Sequence, residues 1–256
     1  MKQKLIKYAV AAIASIFLLV CASFWAYQGN MVVIGANSTE QQITNEFFAE
    51  KLMELTWKKT FHYLTLFDSL DGFDQVFSGA GTIAYPGSTD ASYVILTTGA
   101  TSTDATTMRK TSALNGLITF SQRSFMRASF VATASTTQEA YVKVGTFDGQ
   151  GYGFKIVDGA IWGTTHNGST EATSTASLQT IAANTAYQLE ARYSPDVQVI
   201  FFVNATERGS ISSILPSSTI AANPDLMTFR IKTTANSARS IQTSHFEYLQ
   251  YRDVLF

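Results

Sequence analysis

The stretch Met126-Arg127-Ala128-Ser129-Phe130-Val131-Ala132-Thr133 decides the fold. Met126, Ala128, Phe130 and Ala132 fall on one phase, and Arg127, Ser129, Val131 and Thr133 on the other. Successive side chains of a strand point to opposite faces, so this alternation marks a strand with one face toward a core. The pattern returns at Leu189, Ala191 and Tyr193 against Glu190 and Arg192, and at Phe229 and Ile231 against Arg230 and Lys232. Phe130, Leu189, Phe201 and Phe229 are therefore expected in the core. Val197 to Val203 is apolar on both phases, which predicts a strand covered on both sides.

Turn signals separate these runs: Asp71-Gly72, Pro86-Gly87, Asn115-Gly116, Asp148-Gly149, Asp158-Gly159 and Asn167-Gly168. Such pairs between alternating segments are the strongest short-range hairpin signal. Many short strands joined this way predict an antiparallel sandwich or barrel. No second helical pattern follows Leu64, which argues against an α/β fold.

Composition narrows the function. The chain of 256 residues carries 18 basic and 19 acidic residues, so it lacks the clustered positive charge that phosphate backbones require. Nucleic acid is not an expected partner. Charged residues make up 14%, with Ser, Thr, Ala, Asn and Gly filling the gap, as in many exported or virion β proteins. The one cysteine, Cys21, lies outside the β segment, so disulfides and thiolate zinc sites are excluded there.

Lys2, Lys4 and Lys7 precede a run without charge from Tyr8 to Tyr27, which includes Phe17, Leu18 and Trp25. About 20 residues at 1.5 Å each span the hydrocarbon core of a bilayer. Trp25 and Tyr27 would sit at the interface. The next basic residue is Lys51, so the charge bias puts the N-terminus in the cytoplasm and the rest outside. The segment reads either as an uncut anchor or as a cleaved signal with a small residue near Ala22. Both place the β domain outside the cytoplasm. A virion protein is a third reading.

Residues 38–64 read as a helix. Ser38 to Gln42 contain a capping pattern, and Ile43, Phe47, Phe48, Leu52 and Leu55 recur at helical spacing, continued by Trp57, Phe61 and Leu64. Glu46, Glu50 and Glu54 on the polar face speak for packing on a sheet or a stalk and against a membrane-surface helix. The expected organisation is therefore an anchor over 1–30, a helical connector over 31–66 and a β domain over 67–256.

Gly151-Tyr152-Gly153-Phe154-Lys155-Ile156 and Asp158-Gly159-Ala160-Ile161-Trp162-Gly163 resemble a central hairpin of concanavalin A-like (laminin G-like) jelly rolls. Asn184 to Asn204 is similar to that family's paired strands, and Phe246 to Gln250 to its final strand. The resemblance runs over roughly residues 70–252 and implies an antiparallel two-sheet jelly roll. Ala205 departs from it, because the family commonly has Gly after the Asn. Related domains occur in lectins, adhesins, polysaccharide hydrolases and phage structural proteins, so the fold leaves function open.

Hydrolases of this fold carry paired carboxylates alternating along one strand, because acid and nucleophile must flank one bond. Glu190 stands alone, followed on its face by Arg192, and reads as a surface ion. His62, His166 and His245 match no metal spacing. Gly149-Gln150-Gly151-Tyr152-Gly153 precedes a strand, lacks the helix N-terminus that phosphate binding needs, and reads as a hairpin connection. No enzyme is therefore expected. The resemblance implies that Asp148 and Asp158 are candidate calcium ligands. Tyr152, Trp162, His166 and Asn167 are the candidate ligand-binding residues, since sugars stack on exposed aromatics and take a few fixed hydrogen bonds. The alternative for Trp162, and the more common role for a tryptophan on a strand, is a core residue. Asn37, Asn167 and Asn204 each open an Asn-x-Ser/Thr triplet, which matters only in a eukaryotic source. Two readings result: a membrane-tethered binding module for a glycan or cell-surface partner, or a structural protein of a particle or envelope, with self-association open in either.

Overall fold

A computed structural model describes residues 32–34, 40–42, 58–67, 70, 72–85, 93–110, 118–217 and 225–253. The chain divides into two compact units, Met1–Thr56 and Trp57–Phe256. In the first, β1 (Val32–Ile34) and β2 (Glu40–Gln42) pair antiparallel. The second begins with β3 (Lys58–Thr65), β4 (Asp74–Ser78), β5 (Thr82–Ala84), β6 (Val94–Thr97) and β7 (Ala105–Lys110). It continues with β8 (Ser124–Ala132), β9 (Gln138–Gly145), β10 (Gly151–Val157), β11 (Ala160–His166), β12 (Glu171–Thr173) and β13 (Gln179–Thr180). Last come β14 (Ala186–Ser194), β15 (Gln198–Val203), β16 (Thr206–Ile211), β17 (Met227–Thr233), β18 (Ser240–Thr243) and β19 (Phe246–Asp253).

These strands form two antiparallel sheets. One has eight strands in the order β12-β11-β10-β9-β17-β7-β4, with β13 also on β11. The other has nine, in the order β16-β15-β14-β8-β18-β6-β5, with β19 and then β3 also joined through β8. The long β8 pairs along one edge with β14, and along the other with β19 and β18 in succession. The predicted alternation of β8 puts Met126, Ala128, Phe130 and Ala132 in the core. Phe130, Leu189, Phe201 and Phe229 are each fully buried, as expected.

Aromatic side chains bind the layers together. Tyr152 of β10 stacks on Tyr193 of β14 at 5.3 Å, and Phe120 meets both edge-on. Phe154 of β10 meets Phe201 of β15 at 5.5 Å. Opposite Phe201 stands Gly163, where an added Cβ would come within 2.5 Å of the ring. The two tyrosine hydroxyls are partnered: Tyr152 with Ser124 Oγ at 2.8 Å, and Tyr193, which donates to the carbonyls of Phe120 and Pro216. Both phenols are pushed up by burial. That partnering is what lets polar rings fill a dry core.

The turn readings meet mixed outcomes. Asp158-Gly159 is a two-residue hairpin turn with both residues at positive φ, 50° and 76°. Asp148-Gly149 and Asn167-Gly168 lie in longer connections between β9 and β10 and between β11 and β12. Pro86-Gly87 and Asn115-Gly116 lie outside the described residues, as do the anchor residues Tyr8, Phe17, Leu18, Trp25 and Tyr27. Among the described residues, no helix is long and apolar enough to cross a membrane.

Two expectations are corrected. The helix read over 38–64 is replaced, where described, by strands: Glu40–Gln42 pairs with β1, and Lys58–Thr65 pairs along its whole length with β19. Phe61 and Leu64 mimic a helical stripe, but the segment Thr60-Phe61-His62-Tyr63 is rich in β-branched and aromatic residues that suit a pleated edge. Tyr63 packs on Phe246 at 6.5 Å, a tertiary contact that overrides helix propensity. The β unit thus contains residues assigned to the connector. The segment from Val197 is not covered on both sides either. Val197 is 60% exposed, and β15 alternates, with Val199, Phe201 and Val203 buried and their neighbours half-buried. Its outward positions include Phe202, held under the Arg192 guanidinium at 4.4 Å from the ring centre.

Candidate functional site

The register of the eight-stranded sheet lines up residues far apart in sequence on its outer face. Trp162 lies opposite Lys155, Lys155 opposite Tyr141, Tyr141 opposite Arg230, Arg230 opposite Thr107, and Thr107 opposite Val76. Directly paired residues point the same way, so these six form one row across six strands.

The row is tied by charge and aromatic contacts. Lys155 Nζ lies 3.1 Å from Glu171 Oε2, 3.4 Å from Glu139 Oε1 and 5.2 Å from the Tyr141 ring centre. Burial would pull the Lys155 ammonium down, yet Tyr141 and Glu171 outweigh it and hold the ammonium above its ordinary range. The Tyr141 hydroxyl donates to Glu139 Oε1 at 2.9 Å, and its ring meets Phe147 edge-on at 4.9 Å. Arg230 lies 3.8 Å over the Phe147 ring. Trp162, at the other end, is half-buried, and its indole Nε1 is buried without a hydrogen-bond partner among the described residues.

One row over, Lys143 lies opposite Gly153 and Thr228. It is 1% exposed. A Cβ on Gly153 would lie 2.5 Å from Lys143 Cα, and one on Gly151 3.1 Å from Lys143 Cε. Of the stretch read as a hairpin connection, Gly149 lies in the connection, whereas Gly151 and Gly153 are strand residues whose bare backbone admits the lysine. Its Nζ donates to the Phe147 carbonyl at 3.1 Å, pinning the 146–150 connection. Burial lowers the Lys143 pKa to about 8, with Glu171, Asp148 and Asp225 pulling it back.

Beneath that connection lies a depression of about 250 Å³, whose lining includes Arg109, Phe147, Asp148, Asp225, Thr228 and Arg230. Asp225 is 5% exposed, and its Oδ2 has no hydrogen-bond partner among the described residues. Arg109 Nε is likewise buried and makes no hydrogen bond among the described residues, although it pairs by charge with Asp74 Oδ2 at 3.5 Å. Burial pushes the Asp225 carboxyl up, while Arg109 draws it back.

The candidate residues read from sequence fare differently. Tyr152 is fully buried between the sheets and offers no surface to a ligand, because its phase on β10 is the inner one. Trp162 and His166 share the outer face of β11. His166 Nδ1 accepts from the Gly168 amide at 2.9 Å, and burial and Lys143 lower its pKa. Asn167 is exposed and caps its loop, accepting from the Ser169 and Thr170 amides. Asp148 and Asp158 flank opposite ends of β10, about 23 Å apart at ~3.3 Å per residue, so they form no calcium pair. Among the described residues, no group of three or more acidic, His or Cys side chains is placed to hold a metal. Tyr141, Phe147, Arg109 and Asp225 went unread, since each lies on a segment whose partner strand only the fold supplies.

The outer face of the nine-stranded sheet differs. Glu190 is not isolated: Arg127 Nη2 reaches its Oε2 at 3.0 Å and Arg192 Nε its Oε1 at 2.6 Å. Arg127 also reaches Glu247 at 3.4 Å, and His62 Nε2 lies 3.0 Å from Glu247. Burial works to raise the Glu247 carboxyl, but His62 and Arg127 outweigh it and hold the carboxyl below its usual range. Beside this network lies a depression of about 320 Å³ lined in part by Arg123, Phe125 and Tyr251.

No known family model matches the chain, and no curated protein does. Among solved structures, a protein of unknown function from Shewanella oneidensis MR-1 is similar with a TM-score of 0.56 at 13% identity, over 85% of this chain and 98% of that one. At that identity the likeness shows a shared fold. A structure of botulinum neurotoxin type C, described by its interaction with two ganglioside molecules, gives a TM-score of 0.49 at 9% identity, over 72% of this chain and 44% of that one. A carbohydrate esterase from the Shiga toxin-encoding bacteriophage phi24B gives 0.43 at 14%, over 71% and 92%.

Proposed function

We propose that this chain is a non-enzymatic, concanavalin A-like jelly-roll binding module. It is tethered to a membrane by residues 8–27, and its β unit is extracytoplasmic. It holds a glycan or similarly hydroxylated surface ligand on the outer face of its eight-stranded sheet. One observation carries the reading. The row from Trp162 to Arg230 ends at a depression in which buried polar atoms, Asp225 Oδ2 and Arg109 Nε, make no hydrogen bond among the described residues, Arg109 being only ion-paired with Asp74 at 3.5 Å. Buried polar groups cost free energy until they are hydrogen-bonded, so a polar ligand gains there what the fold forgoes. Aromatic side chains beside a few fixed polar groups are the usual make-up of such sites. The opposite face offers less, because its carboxylates are already bonded to Arg127, Arg192 and His62.

The test is a glycan array probed with the full chain and with Trp162→Ala. Retention of a defined set of glycans, lost or weakened about tenfold in the variant, supports the reading. Retention that Trp162→Ala leaves intact places binding elsewhere, and turnover of any polysaccharide defeats the non-enzymatic part.

One observation favours assembly as a second reading. The terminal strand β4 is exposed throughout, with Val76 46% and Phe77 43% exposed. An apolar sheet edge is a template for pairing with another chain. Sedimentation of the full chain in detergent distinguishes a monomer from an ordered oligomer.

A further inference from the structure

Deepening that reading, and resting on it, we propose that the depression under the 146–150 connection is a subsite for two adjacent hydroxyls of the ligand, one donating to Asp225 Oδ2 and its neighbour accepting from Arg109 Nε.

A carboxylate oxygen only accepts, and a guanidinium nitrogen only donates. Among the described residues Asp225 Oδ2 therefore lacks a donor, and Arg109 Nε, ion-paired with Asp74 Oδ2 at 3.5 Å without hydrogen-bond geometry, lacks a hydrogen-bonded acceptor; Asp225 and Arg109 line one depression. A simple anion would meet Arg109 but be repelled by Asp225 and Asp148. A simple cation would meet the carboxylates but be repelled by Arg109 and Arg230. A hydroxyl both donates and accepts, so a pair of them serves both groups without adding charge. The volume of about 250 Å³ is on the scale of a single sugar ring and below the ~300–1,000 Å³ of whole ligand pockets, which makes this a subsite.

The fold holds these groups in place. Thr228 lies opposite Arg109 in the register, and its hydroxyl donates to the Gly145 carbonyl at 2.8 Å. The Gly145 amide donates to the Asp225 carbonyl at 2.9 Å, which fixes the backbone that carries the carboxylate. Phe147 is clamped by Tyr141 and Arg230, and its carbonyl by Lys143. The wall of the depression is therefore built before a ligand arrives, and preorganisation lowers the entropic cost of binding. Ligand hydroxyls also favour the charged form of Asp225, whose carboxyl burial pushes up.

The experiment is an amide chemical-shift titration of the full chain, kept in detergent. The probes are methyl β-D-galactopyranoside, methyl α-D-mannopyranoside, cis-cyclohexane-1,2-diol and, as the single-hydroxyl control, cyclohexanol. Glycoside or diol should shift the amides of Phe147, Asp225 and Thr228, with cyclohexanol at least fivefold weaker. Asp225→Asn should weaken the response at least fivefold while melting at or above the parent temperature. Arg109→Met, which keeps the aliphatic stem, is the second variant should the first fail to fold. Shifts confined to the surroundings of Trp162, or variants that bind unchanged, overturn the subsite and leave the wider binding face standing. Equal response to cyclohexanol overturns the diol. No response to any probe together with an empty glycan array sinks both.

Discussion

Lys143 shows how one buried residue converts to a measurable property. Its ammonium sits under the Phe147 carbonyl, over the bare backbone of Gly151 and Gly153, and burial lowers its pKa to about 8 from the ordinary 10.5. The unfolded chain holds that proton until about pH 10.4. Between those values the unfolded state binds more protons, so stability rises with pH through this window. Below pH 8 the charge is buried in full and the penalty is constant. Urea unfolding should therefore show a gain on the order of 2 kcal/mol between pH 7.5 and 9.5, from about 1.4 kcal/mol per pKa unit. Lys143→Met, which keeps the stem, should be more stable at pH 7 and flat across the window. A flat profile in the parent chain would mean that water reaches the ammonium. Nothing in the sequence announced this residue. Lysine on an alternating strand reads as surface, and only the two glycines of the neighbouring strand explain how it lies buried.

At the scale of elements, hairpins were legible and pairings between distant strands were not. The β10–β11 hairpin follows from Asp158-Gly159, because both turn positions need positive φ and these residues tolerate it. The β15–β16 hairpin uses Asn204-Ala205, with φ of 52° and 61°. Asn204 helps by accepting from the Gln188 amide through Oδ1 at 2.9 Å, but Ala205 pays the Cβ penalty of the left-handed region. Ala205→Gly should raise stability by about 0.5–1 kcal/mol, the steric relief outweighing the added entropy of the unfolded chain. Thermal melts of the two chains check it, and a loss would mean that the alanine methyl makes a contact worth more than the strain. The misread element, β3, illustrates the opposite limit. Its helical stripe and its strand alternation are both present over eight residues, and the choice is made by β19, which lies at the far end of the chain. The candidate site was legible to the same degree. Trp162 and His166 follow from one strand, whereas Arg109 and Asp225 meet only because β7 pairs with β17.

Across the whole molecule, the two sheets bury one face each and turn outward two surfaces of different chemistry. On the nine-stranded sheet, Arg127 lies between Glu190 on β14 and Glu247 on β19, each carboxylate 14% exposed at the side chain. Arg192 bonds Glu190 at one end and His62 bonds Glu247 at the other, so both carboxylates are answered. Such a surface is satisfied by itself and gains little from a polar ligand. On the eight-stranded sheet, buried atoms of Asp225, Arg109 and Trp162 make no hydrogen bond among the described residues and remain open to a polar ligand. The two faces should therefore separate stability from binding. Arg127→Ala removes the cation between two carboxylates on neighbouring sides of β8, and should cost about 1–3 kcal/mol, as for a buried polar group stripped of its partner. It should leave glycan retention unchanged. Because Arg127 helps hold the Glu247 carboxyl below its usual range, the difference between the two chains should shrink as the pH falls and that carboxyl takes up its proton. Chemical unfolding at pH 7 and pH 4, alongside retention on the glycans that the parent chain holds, measures both. A variant that keeps its stability but loses the ligand would transfer the binding face to the nine-stranded sheet, with Arg123, Phe125 and Tyr251 as its nearest contacts.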